Sequence, residues 1–220
     1  MISIIVPTMW KFAPFLDFIA DVVKVPEVGE VFIIDNDTTK TPDHPVLQHE
    51  KVRVYKTEKN IYVNPAWNLG ARLAKYDKLC IMNDDVIVDL KLFTRMDEWL
   101  TDEVGLAGIC PGRPEFYQTP FTNGAITLEP WMPGDHNFGY GSLFFVHRKN
   151  WLEIPPQLKI YYGDNWLFDV QIYVTKKQNW NITNCLFFSP WAQTTKNLLE
   201  SWLDAETFVY SSICKSIKTR

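Results

Sequence analysis

KLCIMNDDVIVDL, residues 78–90, is an apolar run interrupted by one amide and two adjacent carboxylates before the apolar pattern resumes. Polar groups so placed at the end of a buried strand repel one another and incur a large desolvation penalty unless a positive charge or several donors meet them. A cation meets that need. Oxygen ligands favour a hard ion, Mg2+ or Mn2+, and such ions keep waters and share substrate phosphates instead of sitting in a full protein cage. The run therefore predicts a strand ending at a site for a metal and a phosphate-bearing substrate. The competing reading is a plain turn, with Asx residues capping a helix that begins near Asp89. Val86, Ile87 and Val88 weigh against it, because they continue the apolar run where a surface turn would be polar.

Working outward, ISIIVP (2–7) is a β-branched run and FLDFIADVVK (15–24) has apolar residues at helical spacing. EVFIID (30–35) is again strand-like, KVRVYKT (51–57) alternates with period two, and NPAWNLGARLAKY (64–76) has helical spacing, with Asn64 as N-cap and Pro65 in the first turn. Strands alternating with helices predict βαβ units: an α/β domain with a mostly parallel central sheet flanked by helices. Ligands of such sheets sit at the carboxyl ends of the strands. Three of the four ends carry special residues, namely Pro7 and Thr8, then Asp35, Asn36 and Asp37, then Asn83, Asp84 and Asp85.

Beyond residue 100, EVGLAGIC (103–110) reads as a strand and residues 113–140 as a long loop rich in Pro, Gly and aromatics. GSLFFVHRKNW (141–151) reads as a strand entering a turn, GDNWLFDVQIYVTKK (163–177) as a helix with Asp164 near its start, NITNCLFFS (181–189) as a late strand, and the tail from Lys196 as a helix with a basic end. The 46% hydrophobic content of 220 residues suffices for one cored domain, read as 1–220. A net charge of −4 gives no global footprint for nucleic acid or an anionic membrane. Cys80, Cys110, Cys185 and Cys214 are too dispersed for a zinc site or disulfide framework and read as reduced core residues. With no apolar stretch near the roughly 20 residues that span a bilayer, the chain is expected to be soluble and cytoplasmic.

The ordered strings SIIVPT, VFIIDND and KNIYVNPAWNLGARLAKYDKLCIMNDDVIV resemble the nucleotide-sugar half of family 2 glycosyltransferases with the Rossmann-like GT-A fold, over most of residues 1–90. The resemblance implies a single GT-A domain whose first 90 residues bind the donor and whose residues 91–220 meet the acceptor. It implies that Pro7 and Thr8 line the nucleotide pocket, that Asp35, with Asp37 beside it, hydrogen-bonds the base of a UDP-sugar, and that Asn68, Gly70 and Arg72 face the donor. Asp85 would hold Mn2+ or Mg2+ and the diphosphate, flanked by Asp84, with Asn83 where many relatives carry another Asp.

Inverting transfer needs a carboxylate to take the acceptor proton. YYGDNWLFD (161–169) is similar to the family's Gly-Glu-Asp segment, with Asn165 at the second acidic place, so Asp164 is the expected base and Asp169 the second choice; a helix N-cap is the competing role for Asp164. FGYGSLFFVHRKNW (138–151) resembles the family's Gly-rich strand that borders the acceptor and donor sugar, which implies that Gly139 and Gly141 allow close backbone approach to ligand, a bulge being the competing role. Trp166 is the one tryptophan of Trp131, Trp166 and Trp191 assigned to acceptor stacking. His136 and His147 are left out of the metal set, and FFSPWAQTT (187–195) lacks the His that relatives often carry. The expected acceptor is a glycan or lipid-linked sugar, with a hydroxylated DNA base as the minority choice. Two other readings stand beside this one: a non-catalytic carbohydrate-binding scaffold on the same fold, and a nucleotidyltransferase, which PTMWKFAP (7–14) disfavours because it lacks a Gly-rich phosphate loop.

Overall fold

The computed structural model of the chain describes residues 1–37, 39–110, 125–132, 140–190 and 200–218. Strand β1 (Ile2–Thr8) leads through helix α1 (Phe15–Val22) to β2 (Val28–Asp35); β3 (Val52–Lys56) leads through α2 (Val63–Leu73) to β4 (Lys78–Met82). β1 lies between β2 and β4, β3 lies outside β2, and all three pairings are parallel. The βαβ alternation read from residues 1–82 is present.

The remaining elements are β5 (Ile87–Val88), α3 (Lys91–Trp99), β6 (Ala107–Gly108), β7 (Thr127–Pro130), β8 (Leu143–His147), α4 (Gly163–Val170), β9 (Trp180–Thr183), β10 (Phe187–Phe188) and α5 (Glu200–Lys218). The large sheet runs β3-β2-β1-β4-β8-β6-β9-β7, with β8 antiparallel to both β4 and β6. β5 pairs antiparallel with β10, Phe187 opposite Val88 and Phe188 opposite Ile87. That small ribbon is why the apolar run resumes after Asp85.

Period-two alternation places successive residues of each central strand in opposite layers. Ile4, Val6, Val31, Ile33, Cys80, Met82 and Phe145 face one core, shared with Phe15, Ile19 and Val22 of α1 and Leu92, Phe93 and Met96 of α3. Ile5, Phe32, Ile34, Leu79, Ile81 and Phe144 face the other, shared with Ala66, Trp67 and Ala71 of α2 and Leu167, Phe168 and Val170 of α4. With both faces covered, the polar ends of these strands are left for function.

Several readings need correction. EVGLAGIC yields only the two-residue β6, and NITNCLFFS is split into β9 and β10 by Asn184, whose φ of 55° ends an extended strand. β7 arises inside the segment read as loop. α4 ends at Val170 and continues as one π-helical turn, Gln171–Thr175. Asn64 is not the N-cap of α2; Tyr62 is, at φ 68° and ψ 176°, because the Asn64 side chain is claimed by the carbonyls of Leu158 and Tyr161. His136, Gly139, Trp191 and most of the 113–140 segment lie outside the described residues.

Gly70 shows how closely α2 meets the sheet. A Cβ there would stand 2.2 Å from Ile5 Cγ2. Gly70→Ala should therefore destabilise the fold by about 1–3 kcal/mol despite the better helix propensity of Ala, read as a lowered denaturation midpoint with an unchanged slope.

Candidate active site

The carboxyl ends of β1, β2 and β4 are joined by side chains. Thr8 is in register with Asp35. Its hydroxyl donates to Asp84 Oδ2 at 2.6 Å and accepts from the Trp10 backbone N–H at 2.8 Å. Trp10, at φ 57°, turns its indole back so that Nε1 donates to Asp35 Oδ1 at 2.8 Å. Asp35 is fully buried and also accepts from the Asp37 N–H (3.0 Å), the Thr41 hydroxyl (2.6 Å) and Lys56 Nζ (3.4 Å). Asp84, Thr8, Trp10 and Asp35 thus form one connected line across three strand ends.

Asp85 is 9% exposed. Burial, and then the charge of Asp84, push its carboxyl from the ordinary 3.8 up to about 6, against a backbone N–H and the Ser189 hydroxyl. Ser189 lies immediately beyond the Phe188–Ile87 pair, so the β5–β10 ribbon delivers it. Burial also raises Asp84, opposed by the Thr8 hydroxyl and the Met9 N–H. Among the described residues no Lys or Arg forms an ion pair with either acid. Nor do the described residues hold a group of three or more His, Cys, Asp or Glu arranged to cage a metal. Asn83, Asp84 and Asp85 offer oxygen donors here, with hydroxyls, backbone N–H groups and the more distant charge of Lys11 opposing the desolvation of the two acids. That chemistry fits a hard divalent cation that takes its remaining ligands from water and substrate.

Asp164 is brought to the same end by a short bridge. The Asn83 N–H donates to the Ser142 carbonyl at 3.0 Å, and the neighbouring Gly141 N–H donates to Asp164 Oδ2 at 2.8 Å. A Cβ on Gly141 would lie 3.0 Å from that oxygen, so the bare backbone lets the carboxylate approach. Burial raises the Asp164 carboxyl, and the N–H groups of Asn165 and Gly141 pull the other way.

The other expected site residues have the following surroundings. Pro7 lies past the last β1–β4 pair, Ile5 with Ile81, so its missing N–H is harmless there. Asp37 caps its own loop, accepting from the Thr39 N–H and hydroxyl. Asn68, expected toward the donor, donates to the Ile154 carbonyl and accepts from the Ile154 N–H and Trp151 Nε1. Gly70 packs on β1, and Arg72 is an exposed partner of Glu153. Asp169 is five residues from Asp164, about 140° around the helix, and accepts from Tyr210 and Cys214 of α5. Trp166 is buried in the second core and donates to the Glu153 carbonyl, so its faces are packed. His147 is paired with Lys78 at the opposite end of β4.

Trp10 and Ser189 were not foreseen, whereas Asn36 was already marked by its place at the end of the second strand. Asn36 is buried and accepts from the Ile61 N–H. A polar residue directly after a strand was the available signal for Ser189; nothing local marked Trp10.

The sequence matches the family model described as Glycosyl transferase family 2 over residues 3–175. No curated protein sequence matches it. Among solved structures it is similar to GalNAc-T7 crystallised with UDP, GalNAc and Mn2+ (14% identity, TM-score 0.58, covering 86% of this chain and 43% of that one). It is also similar to residues 1–349 of TarS from S. aureus (15%, TM-score 0.54, 76% and 53%). A third similar structure is a nucleotidyl transferase from Methanothermobacter thermautotroptrophicus (15%, TM-score 0.54, 83% and 86%). The chain thus spans about half the length of the first two. At these identities the likeness is one of fold, a central, mostly parallel sheet flanked by helices. Among the described residues no helix is long and apolar enough to cross a membrane.

Proposed function

This chain belongs to glycosyl transferase family 2, and we propose that it moves a sugar from a nucleotide diphosphate donor, UDP-linked by preference, onto an acceptor hydroxyl with inversion. The observation that carries the reading is the pair of adjacent carboxylates just past the end of β4, half-buried Asp84 and buried Asp85, both raised by desolvation and neither in an ion pair among the described residues.

In this reading Asp85 and Asn83 hold a divalent cation, Mn2+ or Mg2+, which when bound neutralises the departing diphosphate. Thr8 holds Asp84 in place and, with Pro7, borders the donor. Asp35 offers the nucleobase an acceptor. Because Trp10 Nε1 already donates to Asp35 Oδ1, a base N–H taking that oxygen shares it with the indole or displaces it. Asp164, ionised and steadied by the Gly141 N–H, takes the acceptor hydroxyl proton. Gly141, beside that carboxylate, borders the acceptor. The acceptor is a glycan or lipid-linked sugar; with a net charge of −4, the chain offers no general attraction for DNA.

A panel of nucleotide sugars incubated with the protein and Mn2+, Mg2+ or EDTA tests this. Release of nucleoside diphosphate from at least one donor, abolished by EDTA, is expected. Failure to turn over any donor would contradict the proposal, and release of pyrophosphate would instead favour nucleotidyl transfer.

A further inference from the structure

Residues 158–161 run directly into Tyr162, Gly163 and Asp164, so whatever fixes that segment fixes the carboxylate. Its backbone is gripped from two sides. Asn64 of α2 takes the carbonyls: Nδ2 donates to Leu158 O at 3.3 Å and Tyr161 O at 3.0 Å, and its own N–H donates to Lys159 O at 3.0 Å. Glu206 of α5 takes the amides. Oε1 accepts from Lys159 N (3.0 Å) and Ile160 N (3.2 Å), and Oε2 from Ile160 N (3.2 Å) and Tyr161 N (2.7 Å).

Both side chains are buried. Loops ordinarily lie on the surface with their backbone groups in water; here three consecutive amides converge on one carboxylate, in charge-assisted bonds that are stronger than neutral ones. Asn64 Oδ1 has no hydrogen-bond partner among the described residues, so the amide is oriented by the two carbonyls it serves.

A second observation shows that the grip imposes a conformation. Tyr162 sits at φ 61° and ψ 8°, a left-handed geometry that a bulky residue keeps only when its surroundings enforce it. α5 supplies the enforcement: the Tyr162 hydroxyl is 2.7 Å from Thr207 Oγ1, and its ring stacks on Tyr210 at 4.7 Å. Further along the same stripe of α5, spaced by four residues, Tyr210, Cys214 and Lys218 reach Asp169 Oδ2 at 2.9, 3.2 and 3.4 Å. The helix carrying Asp164 is therefore tied to α5 before its first turn and again near its end.

We propose that Glu206 and Asn64 are positioning residues, clamping residues 158–161 so that Asp164 stays against the Gly141 N–H, and that α5 supports turnover through this clamp. This rests on Asp164 being the base.

Glu206→Gln keeps the size of the side chain but turns an NH2 group toward at least one of the amides. It should lower kcat about 10- to 100-fold by misplacing the base and leave KM for the nucleotide sugar within about twofold. Amide hydrogen exchange at 159–164 should accelerate while β1 and β4 stay protected. In an Asp164→Asn background the same substitution should cause no further loss, because it acts through that carboxylate. An equal loss in both backgrounds, an unchanged kcat or unchanged exchange would overturn the clamp. Should Glu206→Gln fail to fold, Thr207→Val, which removes only the hydroxyl holding Tyr162, carries the same comparison with a smaller expected loss. If the wild-type protein turns over no nucleotide sugar, the reaction reading falls, and amide exchange alone decides the clamp.

Discussion

Asp85→Asn should abolish sugar transfer, by about 10³-fold or more, while making the ligand-free protein more stable at neutral pH. The first effect follows from losing the charge that holds the cation, since metal stabilisation of a departing diphosphate is worth several kcal/mol. The second follows from Asp85's own environment. Its carboxyl titrates near 6 in the fold, against 3.8 ordinarily, because it is buried and beside Asp84. A raised acid favours folding when protonated, so its penalty is absent below about 3.8, grows as pH rises toward 6, and is complete above. Removing the charge should therefore raise stability by about 1–3 kcal/mol at pH 7 and by almost nothing at pH 3.5. Denaturation of both proteins at the two pH values checks this. Equal stability at pH 7 would mean that the carboxylate is compensated in solution.

Asp164→Asn should lower kcat by about 10²- to 10⁴-fold, the range for a lost general base. Asn keeps an oxygen for the Gly141 N–H, so the fold and the helix start should survive. Nucleotide binding with metal should also survive, because the hydrogen bonds that join Asp164 to the acidic strand end run through the backbone of Gly141, Ser142 and Asn83. Near-normal transfer by a folded Asp164→Asn protein would reduce the residue to a helix-start contact. Loss of nucleotide binding would place it in the donor site. In the wild-type enzyme the base must be ionised, so activity should fall on the acid side at a pH above the ordinary carboxylate range.

The parallel half of the fold was legible because β1 and β2 are long, β-branched and buried on both faces, β4 is a buried apolar run, and the edge strand β3 alternates with period two. β1, β2, β3 and β4 all lie where their apolar runs lie. Two-residue strands such as β6 and β10 carry no period to read, and β7 ends on a proline in a segment that local pattern assigns to loop. The same contrast holds at the site. Thr8 and Asp35 stand in register at strand ends, and Asn83, Asp84 and Asp85 follow the end of β4, where the Thr8 hydroxyl reaches Asp84. Side chains on helices were misread because their partners are remote: Asn68 answers Ile154, Asn64 answers Leu158 and Tyr161, and Asp169 answers α5. A polar residue on the inner face of a helix looks the same in sequence whether it meets a ligand or a neighbouring backbone.

The central claim is that Asp85 and the diphosphate of the donor share one cation. Calorimetric titration of UDP into the wild-type protein, with Mn2+ and with EDTA, and into Asp85→Asn with Mn2+, tests it most directly. The account predicts binding that is at least about tenfold tighter with Mn2+, and loss of that gain in Asp85→Asn. Equal affinity in all three titrations, or no binding of UDP by the folded wild-type protein in the presence of Mn2+, would contradict it.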